Sequence, residues 1–155
     1  MLPDIRGGTI SGRDRGPGRS RQKASRVAGS VISIVDDDAS LRTATVRLLK
    51  SMGFVVHAFA SAQEFLLSPR LNDTSCLIAD VQMPGMSGIK LQEHLIAHGH
   101  HTPMIFITAF PEDRIRDRAM EAGAIGFLTK PFDESRLLEC VEQALTRRRD
   151  GPDST

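Results

Sequence analysis

Tryptophan and tyrosine are absent from this sequence, and its aromatic residues are seven phenylalanines. None of them falls in the first thirty residues, so the N-terminal stretch offers no ring on which a nucleic-acid base could stack. Only two cysteines occur, Cys76 and Cys140, far apart and without a CxxC spacing. That argues against a disulfide framework or a thiol redox motif and leaves two reduced thiols in apolar segments, where cysteine behaves as a small hydrophobe. From Met1 to about Ser30 there is no apolar run long enough for a signal peptide or a membrane span. A surplus of one charge is also missing, since 20 Lys and Arg stand against 19 Asp and Glu.

The distribution of charge is more informative than its sum. Residues 1–30 carry seven Arg or Lys and two Asp, a balance of +5, and the remaining residues carry thirteen against seventeen, a balance of −4. A Gly-, Arg- and Ser-rich basic tail therefore precedes a mildly acidic body. The 155 residues suffice for one core. The expected division is a disordered basic tail at 1–29, one folded domain at 30–148 and a disordered C-terminus at 149–155.

From Val31 onward, short apolar runs alternate with helical patterns, as in βα units around a parallel sheet. Strands are expected at Val31–Val35, Phe54–Ala58, Ser75–Ala79, Pro103–Ile107 and Ile125–Thr129. All but the second are nearly all apolar, as strands covered on both faces must be, while His57 puts the second nearer an edge. The first helix reads from Leu41, Ala44, Leu48, Leu49 and Met52 on one face, with Gly53 as its left-handed cap. Ser61 and Glu64 form a capping box for a short second helix ending near Pro69. Gly88–His98 is the third, and Pro111 with Glu112 and Asp113 opens the fourth. The last runs from about Asp133 with Leu137, Leu138, Val141, Ala144 and Leu145 on one stripe, fraying in Arg147–Arg149. The sum is an α/β chain of five βα units.

Ligands of open parallel sheets bind beyond the carboxyl ends of the strands. Those positions here hold Asp36, Asp37 and Asp38 after the first strand, Asp80 after the third, Thr108 after the fourth and Lys130 after the fifth. Crowded carboxylates repel one another unless a cation sits among them, and hard oxygen ligands suit Mg²⁺, so Asp36, Asp37 and Asp80 are the candidate metal site. Lys130 offers a compact positive charge and Thr108 a hydroxyl for phosphate oxygens. An aspartate so flanked is arranged for nucleophilic attack on a phosphoryl group. Asp38, next to Ala39, reads as a plain helix N-cap. His94 and His98, one helical turn apart with His100 and His101 behind them, read as surface histidines at a helix C-terminus rather than metal ligands. Arg114, Arg116, Asp117, Arg118 and Glu121 make the fourth helix densely charged.

The stretches Val35-Asp36-Asp37-Asp38, Asp80-Val81-Gln82-Met83-Pro84-Gly85-Met86-Ser87-Gly88, Thr108-Ala109 and Lys130-Pro131-Phe132 resemble the motifs of response-regulator receiver domains of two-component systems. The likeness covers about Ser30 to Arg147 and is greatest to the FixJ-like branch. It implies a doubly wound, flavodoxin-like (CheY-like) fold with a parallel sheet of order 2-1-3-4-5. It further implies that Asp80 is the phosphoacceptor, that Asp37 binds Mg²⁺ directly and Asp36 through water, and that the backbone carbonyl of Gln82 is another ligand. Lys130 would pair with Asp80 and then with the phosphoryl group, and the Lys130–Pro131 bond would be cis. Thr108 and Phe127 would be the switch pair, with Phe127 standing where many members have Tyr, so that packing alone carries the signal; the small Ala109 would leave the acyl phosphate accessible. The charged fourth helix would lie in the surface receivers use for docking or dimerisation.

The implied partners are a sensor histidine kinase or phosphotransfer protein, a downstream effector and a phosphorylation-dependent homodimer, with no direct nucleic-acid or membrane contact. The implied setting is the cytoplasm, and the chain is not a classified enzyme although it catalyses its own phosphotransfer and dephosphorylation. The sequence stops at Thr155 after the last helix, so a stand-alone receiver is expected, with its output in another protein, a phosphorelay or a region outside this sequence. Two rivals differ in class. A phosphorylation-independent binding module is opposed by the intact Asp37, Asp80, Thr108 and Lys130, and a nucleic-acid-binding protein led by the basic tail lacks a recognition helix.

Overall fold

The computed structural model describes residues 29–154 along the backbone and side chains as far as residue 147. The basic tail expected at 1–29 therefore lies outside the described residues apart from Gly29, and of the segment 149–155 only the helical backbone through Ser154 is described. Five strands, β1 (Val31–Val35), β2 (Val55–Phe59), β3 (Cys76–Asp80), β4 (Met104–Thr108) and β5 (Gly126–Thr129), form one sheet of order β2-β1-β3-β4-β5. All four ladders are parallel. The helices are α1 (Ala39–Ser51), α2 (Ala62–Leu66), α3 (Gly88–Ala97), α4 (Asp113–Glu121) and α5 (Glu134–Ser154), with a 3₁₀ turn at Pro69–Leu71. Among the described residues no helix is long and apolar enough to cross a membrane.

The period-2 alternation of strands explains why the apolar runs are continuous. Ile32, Ile34, Cys76, Ile78, Ile105, Ile107 and Leu128 face one core with Leu137, Val141, Ala144 and Leu145 of α5. Val35, Leu77, Ala79, Met104 and Phe106 face a second core with Phe65, Leu91, Leu95 and Ala119. Both cysteines are free and buried, and burial pushes both thiols above their ordinary value, as fits inert packing groups.

Four of the five strands begin one residue later than their apolar runs suggest, and three of these also end one residue later. Hydrogen bonding decides this, not hydrophobicity. Val81 N–H donates to the Ile107 carbonyl at 2.9 Å and Lys130 N–H to the Thr108 carbonyl at 2.7 Å, so the ladder carries Asp80 and Thr108 inside the strands. At the other end, Phe54 N–H turns back to the Leu49 carbonyl, and Pro103 has no N–H to give. The buried line of α1 also differs from expectation: Thr45 is buried, and Ala44 and Met52 are exposed. Leu41, Thr45 and Leu49 share the inward face at i, i+4, and the Thr45 hydroxyl is satisfied by donating to the Leu41 carbonyl at 2.8 Å. The second helical segment is α2 followed by the separate 3₁₀ turn, because Pro69 restarts the chain there with Ser68 capping Arg70 N–H. The expected Asp38 N-cap, Gly53 cap (φ 95°) and Ser61 cap are all present.

Helix and sheet come close together beneath the acidic strand ends. A Cβ on Gly88 would stand 2.4 Å from the Asp80 carbonyl oxygen and 3.2 Å from a ring carbon of Phe106. Any side chain at position 88 must therefore push α3 off β3. Gly88→Ala is expected to lower stability by roughly 1 to 3 kcal/mol, the usual cost of overpacking, as measured by urea unfolding. An unchanged midpoint would show that α3 is not held against Asp80.

Candidate functional site

The parallel register gathers every predicted site residue except Phe127 at the carboxyl edge of the sheet. Asp36 and Asp37 leave β1, Asp80 and Thr108 close β3 and β4, and Lys130 follows β5. Asp36, Asp80 and Thr108 are buried, and Asp37 is exposed at the mouth. Oxygens of Asp36, Asp37 and Asp80 lie within 4.8 Å of one another. Lys130 Nζ donates to Asp80 Oδ2 at 2.8 Å and stands 3.5 Å from Asp36 Oδ2. The Lys130–Pro131 bond is cis.

Main-chain donors fix the carboxylates. Asp38 N–H donates to Asp36 Oδ1 at 2.9 Å, and Gln82 N–H donates to Asp80 Oδ1 at 2.9 Å. Asp36 Oδ2 is buried without a hydrogen-bond partner, having only the longer approach of Lys130. Burial pushes the Asp36 carboxyl from 3.8 up to about 6, against the Asp38 N–H that favours its charged form, and the neighbouring Asp80 pushes it in the same direction as burial. Burial works against the Lys130 charge, yet the hydrogen bond to Asp80 and the charges of Asp36 and Asp80 hold the ammonium above the ordinary lysine value. One ammonium faces three carboxylates, so the pocket has a negative excess and an unsatisfied oxygen. That donor set fits a hard divalent cation such as Mg²⁺.

Thr108 lies beside this cluster without touching Asp80. Its hydroxyl donates to Gln82 Oε1 at 2.6 Å, and its oxygen accepts from Phe110 N–H at 3.0 Å. Phe127 sits on β5 beneath the site, half-buried, with its ring centroid 6.2 Å from that of Phe106. Sequence reasoning gave Gln82 a role only through its carbonyl and missed its side chain, because a glutamine in a loop carries no pattern of its own. The His94 and His98 rings stack at 4.1 Å, and His98 Nδ1 is bonded to the His94 carbonyl at 2.8 Å.

A five-stranded parallel sheet of order 2-1-3-4-5 with helices on both faces places the chain among doubly wound α/β proteins. Residues 32–142 match the family described as "Response regulator receiver domain", and the chain belongs to that family. It is 42% identical over 120 residues to nodulation protein W of Bradyrhizobium diazoefficiens, covering 77% of this chain and 53% of that protein. The structure of the response regulator StyR superimposes with a TM-score of 0.75 at 44% identity, covering 82% of this chain and 64% of that one. FixJ-N gives a TM-score of 0.68 at 33% identity, covering 76% and 94%. The likeness to FixJ-like regulators expected from the motifs is thus present. The chain spans about half the length of the curated relatives it matches.

The raised Asp36 carboxyl sets a pH dependence. Between about 4 and about 6 the folded protein keeps a proton that the unfolded chain has released, so rising pH favours unfolding over that window. In metal-free buffer, Asp36→Asn should gain roughly 1 to 3 kcal/mol over the wild type as pH rises from about 4 to about 7. Urea unfolding at several pH values measures this; a difference that stays constant or reverses would contradict it.

Proposed function

We propose that this chain is a phosphorylation switch in which Asp80 accepts a phosphoryl group from a sensor histidine kinase or phosphotransfer protein. The observation that carries the reading is the Asp80 carboxylate, buried, fixed by the Gln82 N–H and paired at 2.8 Å with Lys130 amid two further aspartates. An oxygen of Asp80 attacks phosphorus and an O–P bond forms. The P–N bond to the donor's phosphohistidine breaks, its electron pair staying on the imidazole nitrogen. Lys130 then meets phosphoryl oxygens in place of the carboxylate, and the Thr108 hydroxyl donates to another. Hydrolysis reverses the state: water attacks phosphorus, the acyl O–P bond breaks, and the Asp80 carboxylate returns. Ala109 is exposed and small, leaving room for that water.

Asp37, Asp80 and the Gln82 carbonyl would hold Mg²⁺ directly and Asp36 through water; the ion would neutralise charge on the phosphoryl group and the carboxylates. As Thr108 moves inward, Phe127 turns into the space it leaves, and the β4–α4 region shifts, changing a surface for a downstream effector or for a second copy. We place this chemistry in the cytoplasm, where histidine kinases present their phosphoryl group. The transfer and hydrolysis are the receiver's own, so the chain belongs to no class of turnover enzyme.

With a small phosphodonor such as phosphoramidate, the protein should incorporate phosphate only when Mg²⁺ is present. Asp80→Asn should abolish the incorporation, and Lys130→Ala should slow it by roughly 100-fold, the scale of losing one charge-stabilising group. Labelling that survives in Asp80→Asn or in a chelator would overturn the assignment, and no labelling of the wild type would favour a binding module that works without phosphorylation.

A further inference from the structure

Thr108 has a single hydroxyl proton, and in this structure it is committed. It is donated to Gln82 Oε1 at 2.6 Å, while the hydroxyl oxygen accepts from Phe110 N–H at 3.0 Å. The same Gln82 fixes Asp80 through its main chain, with N–H to Oδ1 at 2.9 Å. One residue on the loop after β3 thus grips both the carboxylate and the hydroxyl that the switch must bring together. Its own side chain is exposed at the mouth of the site. We propose that the Gln82 side chain is a positioning residue, a latch that holds Thr108 in the resting arrangement and competes with the phosphoryl group for its proton.

The proposal rests on the reading of Asp80 as phosphoacceptor and deepens it. A hydroxyl cannot give its one proton to two acceptors. Whatever free energy the Gln82 bond contributes to the resting state must be lost before Thr108 can donate to a phosphoryl oxygen, so the bond biases the switch towards off. Methionine at position 82 has similar length and no amide acceptor, and it keeps the backbone N–H and carbonyl. The side chain contacts solvent, so the exchange leaves both cores untouched.

The test uses beryllofluoride as the phosphoryl mimic, titrated calorimetrically at saturating Mg²⁺ into the full chain and its variants. Gln82→Met should bind the mimic about two- to tenfold more tightly than the wild type, the scale of one net hydrogen bond. In a Thr108→Ala background the same exchange should have no effect. Without the mimic, the Thr108 methyl resonance of Gln82→Met should already lie part of the way towards its mimic-bound position, a readout that a merely structural residue would not move. Equal or weaker binding by Gln82→Met, or a gain that persists without the Thr108 hydroxyl, overturns the latch. A wild type that binds no beryllofluoride overturns the phosphoacceptor reading itself, and the latch with it.

Discussion

Three carboxylates held within 4.8 Å of each other, with one ammonium between two of them, set the terms for everything around them. At an effective dielectric of about 20, two like charges about 4 Å apart repel by about 4 kcal/mol, which is comparable to the stability of a small domain. The fold tolerates this because each buried carboxylate has a main-chain donor, and because Lys130 is delivered to the cluster by β5. The residual negative charge suits a divalent cation.

The mechanical consequence follows from where the strands stop. Asp80 and Thr108 lie in the ladder, so their Cα positions are as rigid as the sheet, and only side chains and the loops beyond them can respond. Gly88 packs α3 against the Asp80 carbonyl. The helices beyond are tied to each other: Gln92 Nε2 donates to the Ala119 carbonyl at 3.1 Å, and Glu93 pairs with Arg118. A change at Thr108 therefore meets a fixed sheet below and a braced α3–α4 pair at the side. Beyond Thr108 the chain enters the β4–α4 loop, where Phe110 stands 69% exposed.

Much of this was legible in the sequence because the relevant signals are local or periodic. Apolar runs marked the five strands, Asp38, Ser61 and Gly53 marked helix ends, and the acidic run, Asp80, Thr108 and Lys130 marked the strand tips. The differences have a common origin in hydrogen bonding, which apolar patterning does not register. The one-residue shift of the β2, β3 and β4 tips comes from ladder partners, and the burial of Thr45 in place of Ala44 comes from a hydroxyl satisfied within its own turn. The Gln82–Thr108 bond spans 26 residues between side chains without any periodic mark, and only the assembled sheet edge reveals it.

Family membership accounts for the frame, and the local geometry accounts for how this member is set. Asp36 is buried with an oxygen left over, Lys130 is charged and engaged with Asp80, and Thr108 is turned towards Gln82. Together they fit the resting state of the proposed switch, with the Asp80 carboxylate held by Gln82 N–H and Lys130. The most direct measurement is chemical trapping of the phosphorylated residue. After reaction with a small phosphodonor and Mg²⁺, borohydride reduces an aspartyl phosphate to homoserine, which peptide mass mapping locates. Phosphorylation of Asp80 predicts homoserine at position 80 and nowhere else in the chain. An unmodified position 80 in protein that has taken up phosphate, or homoserine at position 36 or 37, would contradict it.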